Sequence, residues 1–424
     1  MNFFRRKISP VAGYYLVACG DAFFFTMVVS VSVLFQTKEA GLSPIQLLLV
    51  GAALQVAILF SEVPTGIVAD TFSRRLSVLI GLILVGGGSI ASAAVAEFWP
   101  IVLGTVILGV GRTFISGALE AWIADEIGSE RANPVYLRAA QATTFFWIGA
   151  IAASFALASL DLNLPIVAGG ACLIILAFLV APIMPEAGFV RPTRIEAAGF
   201  RRMVSTLTEG RQVVSARPLL LTMFAITAFY GAAGQGFERL WVAHFYDDVG
   251  FPARWNIDPV LWFGVIRVIG AVLGLIAVEV VRRTYTNRMN DHDAVSRALF
   301  RITTFQSLGI LALAVATNFE MAAAAYTATF ALSLAYDPLY LAWINQNVNA
   351  TIRATVISMS SQAGALGRTV GGPAIGTVGS LASLRAALTS AGLALIPALL
   401  FYFRAFGQGT TDEETKTAVT PPIS

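Results

Sequence analysis

Apolar and polar stretches alternate along the whole chain, and the apolar runs are of similar length. Each run is close to the ~20 residues that a helix needs to cross a bilayer. Twelve such runs centre near residues 24, 57, 86, 111, 150, 175, 230, 270, 308, 332, 366 and 395. This pattern predicts an all-α polytopic membrane protein with twelve transmembrane helices.

The longest polar stretch, residues 185–218, lies at the midpoint of the chain. It predicts a cytoplasmic linker between one six-helix bundle at 1–184 and a second at 219–406. Residues 407–424 are polar and include two prolines, so we expect a disordered cytoplasmic tail there.

Basic residues are concentrated in every second polar stretch. Roughly twenty lysines and arginines lie in one set of stretches, whereas the other set holds only Lys38, Arg254 and Arg385. The positive-inside rule therefore predicts that both termini lie in the cytoplasm. The first apolar run is too long for the core of a signal peptide, so we expect no cleaved leader.

The composition supports a membrane protein and argues against several other classes. The chain is 57% hydrophobic and 12% charged, whereas about 25% of the residues of a soluble domain are charged. Its two cysteines lie inside apolar runs, and two histidines are too few to suggest a metal centre. With no nucleophile motif or P-loop, we expect no enzyme activity and no cofactor. We expect a monomer in the lipid bilayer with a small-molecule substrate and no nucleic-acid partner.

Three sequence motifs occur twice, in the same order, at the edges of the apolar runs. GIVADTFSRR from Gly66 is echoed by GLIAVEVVRR from Gly274, with the acid moved one place to Glu279. LEAWIADE from Leu119 is echoed by YLAWINQN from Tyr340, and LRAAQ at 137–141 by IRATV at 352–356. These echoes predict a duplicated six-helix unit. Parallel repeats of this kind place a substrate site between the halves and work by rocking one half against the other.

The turn between the second and third runs has the spacing GxxxDxxxRR, formed by Gly66, Asp70, Arg74 and Arg75. This spacing is similar to the signature turn of the major facilitator superfamily, and the resemblance covers residues 11–406. It implies two pseudosymmetric bundles powered by a proton gradient, in a cytoplasmic (inner) membrane. It also implies a latch in which Asp70 accepts hydrogen bonds from the start of the eleventh helix and Arg74 pairs with Asp125. Gly66 would allow two helices to approach closely.

Ionisable residues inside the apolar runs are candidate functional residues, because each costs at least ~2.5 kcal/mol in hydrocarbon. Asp21 is the favoured proton carrier, since loss of hydration favours the neutral form of a carboxyl group. Arg112 resembles the fourth-helix arginine that proton-coupled members use in proton transfer, and a pair with Glu120 through Ser116 is one option. Structural ion pairs between helices are the alternative. The full set of candidates is Asp21, Glu62, Arg112, Glu120, Arg267, Asp337 and Arg368.

The eleventh run contains the sequence GGPAIG, with Gly371, Gly372, Pro373 and Gly376. Drug:proton antiporters of the superfamily carry a glycine- and proline-rich kink in the fifth helix, which lacks it here. Small residues permit close helix contact and proline bends a helix. The sequence therefore predicts that the kink has moved to the eleventh helix.

Together these patterns predict a proton-coupled antiporter that exports hydrophobic or cationic drug-like compounds. Aromatic residues at mid-run depth suggest the cavity lining: Phe23, Phe24, Phe25, Phe145, Phe146, Trp147, Phe229, Tyr230, Tyr336 and Tyr340. One alternative is an importer or facilitator of an anionic metabolite, held by Arg267 and Arg368. A second is a non-transporting receptor of the same fold.

Overall fold

The computed structural model describes residues 9–189, 218–288, 291–348 and 350–406. Regular structure within these ranges is helical. The first seven α-helices are α1 Pro10–Lys38, α2 Pro44–Thr71, α3 Arg74–Ala94, α4 Phe98–Ile115, α5 Ala118–Ile127, α6 Ser129–Ala158 and α7 Asn163–Val180. The remaining α-helices are α8 Pro218–His244, α9 Pro259–Tyr285, α10 His292–Val315, α11 Phe319–Asn347, α12 Ala350–Leu381, α13 Leu384–Leu393 and α14 Ile396–Ala405.

These helices confirm the prediction of a twelve-helix membrane protein. Ten segments have the length and hydropathy of membrane spans, among them α4 with α5 as one span and α13 with α14 as another. The other two, α11 and α12, have 29 and 32 residues. They are long enough to cross a bilayer, but alanine, threonine, serine and glycine lower their hydropathy. The predicted tail, and the predicted linker from residue 190 to 217, lie outside the described residues.

The described residues form two compact units. The first contains α1 to α7 together with Ala253–Val268, which includes the start of α9. The second contains α8, the π-helical turn Phe245–Val249 that follows it, and the rest of α9 through α14.

Glycines set the helix packing of the first unit. A Cβ atom built on Gly88 of α3 would lie 2.6 Å from the carbonyl oxygen of Gly104 in α4, and Gly86 meets Gly170 of α7 in the same way. Backbones can approach this closely only where side chains are absent. Gly66 differs, because a Cβ atom there would meet nothing within 4 Å among the residues that the structure describes. The close approach expected at Gly66 is therefore not made.

The fourth predicted span is interrupted near its middle. α4 ends at Ile115, Gly117 has φ of 75°, and α5 begins at Ala118. A positive φ of this size is readily adopted by glycine and costs other residues energy. The turn changes the direction in which residues after Gly117 face, so Glu120 does not continue the helical face of Arg112.

The second unit is built around a close contact between α8 and α12. A Cβ atom on Gly367 of α12 would overlap the carbonyl oxygen of Ala228 in α8, and one on Gly371 would overlap Ala232. Gly372 packs on the side chain of Gln235. The glycines of the predicted kink region therefore have a packing role, while α12 continues as one helix past Pro373. The predicted bend at Pro373 stays a prediction.

Candidate functional site

A half-buried ion pair links α1 to α4 in the first unit. Arg112 Nη1 lies 2.8 Å from both carboxylate oxygens of Asp21. The side chains are 30% and 15% exposed, respectively. The guanidinium also lies over the ring of Phe25, with its central carbon 4.3 Å from the ring centroid. An acid, a base and an aromatic ring therefore form one cluster.

The local sequence explains how this cluster is held. Asp21 and Phe25 are four residues apart in α1, so they share one helical face and approach Arg112 together. Arg112 lies in the last turn of α4, where the helix dipole favours a positive charge. The two charged side chains are thus fixed by two different helices.

Glu120 is not part of this pair, so the sequence interpretation of an Arg112–Glu120 interaction is wrong. The spacing argument assumed one continuous helix, but the chain turns at Gly117. Glu120 is exposed on α5, and its backbone carbonyl accepts a hydrogen bond of 2.8 Å from the Tyr136 hydroxyl. Glu62 of α2 is also exposed and has no ion-pair partner among the described residues.

A second charged network lies at the turn between α2 and α3. Arg74 Nη1 is 2.7 Å from Asp125 Oδ2 and donates a 2.6 Å hydrogen bond to the carbonyl of Ala121. Arg74 Nη2 also lies 3.8 Å from Asp70 Oδ1. This is the pairing with Asp125 that the resemblance implied. The Asp70 side chain is 71% exposed, and the predicted latch role of these residues stays a prediction.

Glu186 completes this network and was missed by sequence reasoning. Its carboxylate accepts a 2.8 Å hydrogen bond from the Ser73 hydroxyl and a 3.0 Å bond from the backbone amide of Arg75. The amide belongs to the first turn of α3, where unpaired N–H groups and the helix dipole favour an acid. A signal existed, because Glu186 is an acid in a stretch that is otherwise rich in arginine.

The residues around Glu186 are fixed to α5. The Trp122 indole donates a 2.6 Å hydrogen bond to the carbonyl of Pro185. The amide of Gly188 donates a 2.8 Å bond to Glu126 Oε1. The start of the stretch predicted as a linker is therefore bound to α3 and α5.

The second unit has its own charged group. Asp337 of α11 lies within electrostatic range of Arg368 in α12 and of Glu238 in α8. Asp337 and Glu238 are exposed, and Arg368 is half-buried. The structure thus brings two of the predicted site residues, Asp337 and Arg368, into one neighbourhood. Arg267 is half-buried in the part of α9 that belongs to the first unit.

Three predicted cavity aromatics stack beside this group. The rings of Tyr230 and Tyr336 are 3.9 Å apart, and those of Tyr336 and Tyr340 are 5.6 Å apart. Tyr336 and Tyr340 are buried, and their hydroxyls bond to Tyr402 and Ser360. These two tyrosines are core residues of the second unit, which the apolar pattern alone could not distinguish from cavity residues.

Comparisons with known proteins agree with this architecture. Over 368 residues the chain is 22% identical to the uncharacterized MFS-type transporter YxaM of Bacillus subtilis, covering 84% of this chain and 86% of the relative. A 132-residue stretch is 28% identical to a D-xylose transporter of Levilactobacillus brevis, covering 31% of this chain and 29% of that protein.

Two solved structures share the fold. A bacterial homolog of the human lysosomal transporter Spinster, in its inward-facing and unoccupied conformation, matches with a TM-score of 0.75 and 15% identity, covering 96% of this chain and 99% of that one. The nucleoside transporter NupG matches with a TM-score of 0.74 and 14% identity, covering 94% and 100%. A sequence profile of the Major Facilitator Superfamily matches residues 14–371. The chain belongs to the Major Facilitator Superfamily and is a multi-pass membrane transporter.

Proposed function

We propose that this transporter is proton-coupled and exports hydrophobic or cationic small molecules by alternating access, with one unit rocking against the other. The observation that carries the proposal is the Asp21–Arg112 ion pair, 2.8 Å long and half-buried. An ionisable pair inside a membrane span is retained at a cost and marks functional sites. The proton gradient would supply the energy, with no cofactor.

Protonation of Asp21 would remove one of the two charges that hold α1 and α4 together. Two unit charges 4 Å apart attract by about 4 kcal/mol at an effective dielectric constant of 20. Moving a two-state equilibrium from 1:99 to 99:1 takes about 5.5 kcal/mol. The desolvation cost of the pair offsets part of this attraction, so one proton on Asp21 is expected to contribute a part of such a switch, about 2 kcal/mol.

The surroundings of the pair support a hydrophobic or cationic substrate. The ring of Phe23 lies 5.5 Å from that of Phe24 and 6.4 Å from that of Phe146, which is exposed. Aromatic faces bind both apolar groups and organic cations. In the second unit, Asp337 and Glu238 are exposed carboxylates that could contact a cation, with Arg368 and Arg239 in electrostatic range of them.

Uptake of a small polar metabolite is the second candidate. Its support is that structural neighbours are described as nucleoside and peptide transporters, and one relative as a D-xylose transporter. Arg368 could pair with an anionic group on such a substrate. The distribution of basic residues supports both termini in the cytoplasm, and an inner-membrane monomer stays part of the proposal.

Flux measurements in proteoliposomes with an imposed pH gradient test the proposal. Cationic, neutral and anionic compounds would be compared for the wild type, for Asp21→Asn and for Glu97→Gln. We expect gradient-driven flux of cations in the wild type and in Glu97→Gln, because Glu97 is exposed and its side chain makes no capping bond. Asp21→Asn should lose the dependence on the gradient. Wild-type flux that ignores the gradient would overturn proton coupling, and preference for anions would favour the second candidate.

A further inference from the structure

His244 is the last residue of α8 and is completely buried, with 0% of its side chain exposed. Both ring nitrogens have partners. Nε2 lies 2.8 Å from the carbonyl oxygen of Leu313 in α10. Nδ1 lies 2.8 Å from Oδ2 of Asp248, which sits in the π-helical turn Phe245–Val249. The imidazole thus connects α8, the turn that follows it, and α10.

These two contacts determine how many protons the imidazole of His244 and the carboxylate of Asp248 need between them. A backbone carbonyl only accepts hydrogen bonds, so Nε2 must carry a proton. A neutral imidazole has one N–H group, and this would leave Nδ1 as an acceptor facing an acceptor oxygen of Asp248. Two acceptors 2.8 Å apart repel each other, and the 29% exposure of the Asp248 side chain relieves this only in part. One additional proton therefore belongs between Nδ1 and Oδ2.

We infer that the buried His244 and the partly exposed Asp248 form a proton-binding site, in which an imidazolium with both ring protons ties the end of α8 to α10. This site is distinct from the Asp21–Arg112 pair, which lies in the first unit. Its proton has a structural effect of its own. When the proton leaves, the contact between Nδ1 and Asp248 becomes repulsive and the π-helical turn loses its attachment.

The charged neighbours agree with an ion pair at this position. Arg385 of α13 has its Nε 3.9 Å from Asp248 Oδ2, and its Nη2 donates a 3.4 Å hydrogen bond to the carbonyl of Ala316 after α10. Asp247 in the same turn is exposed and lies within electrostatic range of His244. At the start of α11, Phe319 packs on Phe245 and is followed by Glu320. From α10, the group facing the imidazole is the Leu313 carbonyl.

The backbone of the turn is arranged to make this contact. The amide of Gly250 bonds over 2.9 Å to the carbonyl of Phe245, and Gly250 adopts φ of 76°. This wider π-helical loop returns Asp248 to the imidazole. π-Helical turns are rare and occur often at functional sites.

The test uses the fact that the chain has only two histidines, His244 and His292. Protein labelled with ¹⁵N-histidine and purified without a polyhistidine tag would be studied by NMR at pH 6 and pH 9. Amide hydrogen exchange of residues 245–250, corrected for intrinsic rates, would be measured in parallel. His292→Gln assigns the two imidazoles.

We expect both ring nitrogens of His244 to be protonated at pH 6. At a pH where Nδ1 has lost its proton, the turn should exchange about tenfold faster, because the hydrogen bond to Asp248 is lost. In Asp248→Asn the amide can donate to a neutral Nδ1, so exchange should stay slow at both pH values. Asp247→Asn should behave as the wild type. An unprotonated Nδ1 at pH 6, or exchange that does not follow its deprotonation, would overturn the inference.

Discussion

The Asp21–Arg112 pair allows a quantitative test by a double-mutant cycle. Asp21→Asn leaves the guanidinium of Arg112 without its carboxylate in a half-buried position. Removing one partner of a fully buried pair costs roughly 3–5 kcal/mol, and exposed pairs contribute about 0.2–1 kcal/mol. Because these side chains are 15% and 30% exposed, we expect about 2 kcal/mol for Asp21→Asn.

Removing both charges together should be less harmful than removing one. Replacing a buried ion pair with neutral side chains of similar size is often close to neutral. We therefore expect Asp21→Asn with Arg112→Met to cost about 1 kcal/mol or less. Arg112→Met alone leaves the Asp21 carboxylate unpaired and should also cost about 2 kcal/mol, so the coupling energy between the two sites should be about 3 kcal/mol.

Thermal unfolding in one detergent and at one scan rate would measure these effects. A cost of 1 kcal/mol lowers Tm by about 2–4 °C in a domain of 150–250 residues, which is the size range of each unit. Asp21→Asn should then lower Tm by roughly 4–8 °C, and the double variant should recover about half of that loss or more.

The control is the exposed pair Asp293–Arg297, four residues apart in α10 and 3.1 Å long. Its cycle, with Asp293→Asn and Arg297→Met, should give a coupling energy within about 0.5 kcal/mol of zero. Additive losses at Asp21 and Arg112, with no recovery in the double variant, would refute the reasoning that the two charges stabilise each other.

Three further substitutions test the packing and capping contacts by the same unfolding assay. Gly367→Ala should cost about 1–3 kcal/mol by separating α8 from α12. Its control, Gly234→Ala in α8, should be neutral or stabilising, because a Cβ atom there meets nothing within 4 Å among the described residues. Equal effects of the two substitutions would contradict the packing role of Gly367. Glu186→Ala should cost about 1 kcal/mol, because the capping contact at the start of α3 is lost. Glu186→Gln should cost less because one acceptor remains, and a larger cost for Glu186→Gln than for Glu186→Ala would contradict the capping role. Trp122→Phe should cost about 1 kcal/mol through its lost hydrogen bond to Pro185, and an unchanged Tm would count against that bond.

The helical architecture could be predicted from the sequence because a bilayer fixes the length and polarity of each span. The partner of Arg112 could not be predicted in this way. Asp21 is 91 residues away, and helix periodicity describes only one helix at a time. Helix periodicity placed Glu120 on the same face as Arg112, but the turn at Gly117 removes Glu120 from that face.

The role of each glycine was equally hidden in the sequence. Gly66 belongs to a recognisable motif, yet a Cβ atom there would meet nothing within 4 Å in the described part of the chain. Gly367 lies outside the GGPAIG motif and sits against the backbone of Ala228. Close packing depends on what the neighbouring helix presents, and a single sequence does not specify which helices are neighbours.

The two units keep one feature of the repeat and differ in another. Trp122 and Trp343 occupy equivalent repeat positions, and each helps to fix the end of its unit's last helix. Trp122 donates to the carbonyl of Pro185, just beyond α7. Trp343 donates over 3.3 Å to His292, whose other nitrogen lies 3.0 Å from the carbonyl of Ala405 at the end of α14. The aromatic anchor is thus retained in both units.

The charges of the repeat have diverged. In the first unit Arg74 reaches across to Asp125 of α5. The repeat places Arg282 at the position of Arg74 and Gln346 at the position of Asp125. Arg282 instead pairs over 2.7 Å with Glu279 of its own helix. The buried amide atoms of Gln346 have no hydrogen-bond partner among the described residues. An ion pair within one helix cannot hold two helices together, so within the described residues the charged contact between helices at this repeat position belongs to the first unit.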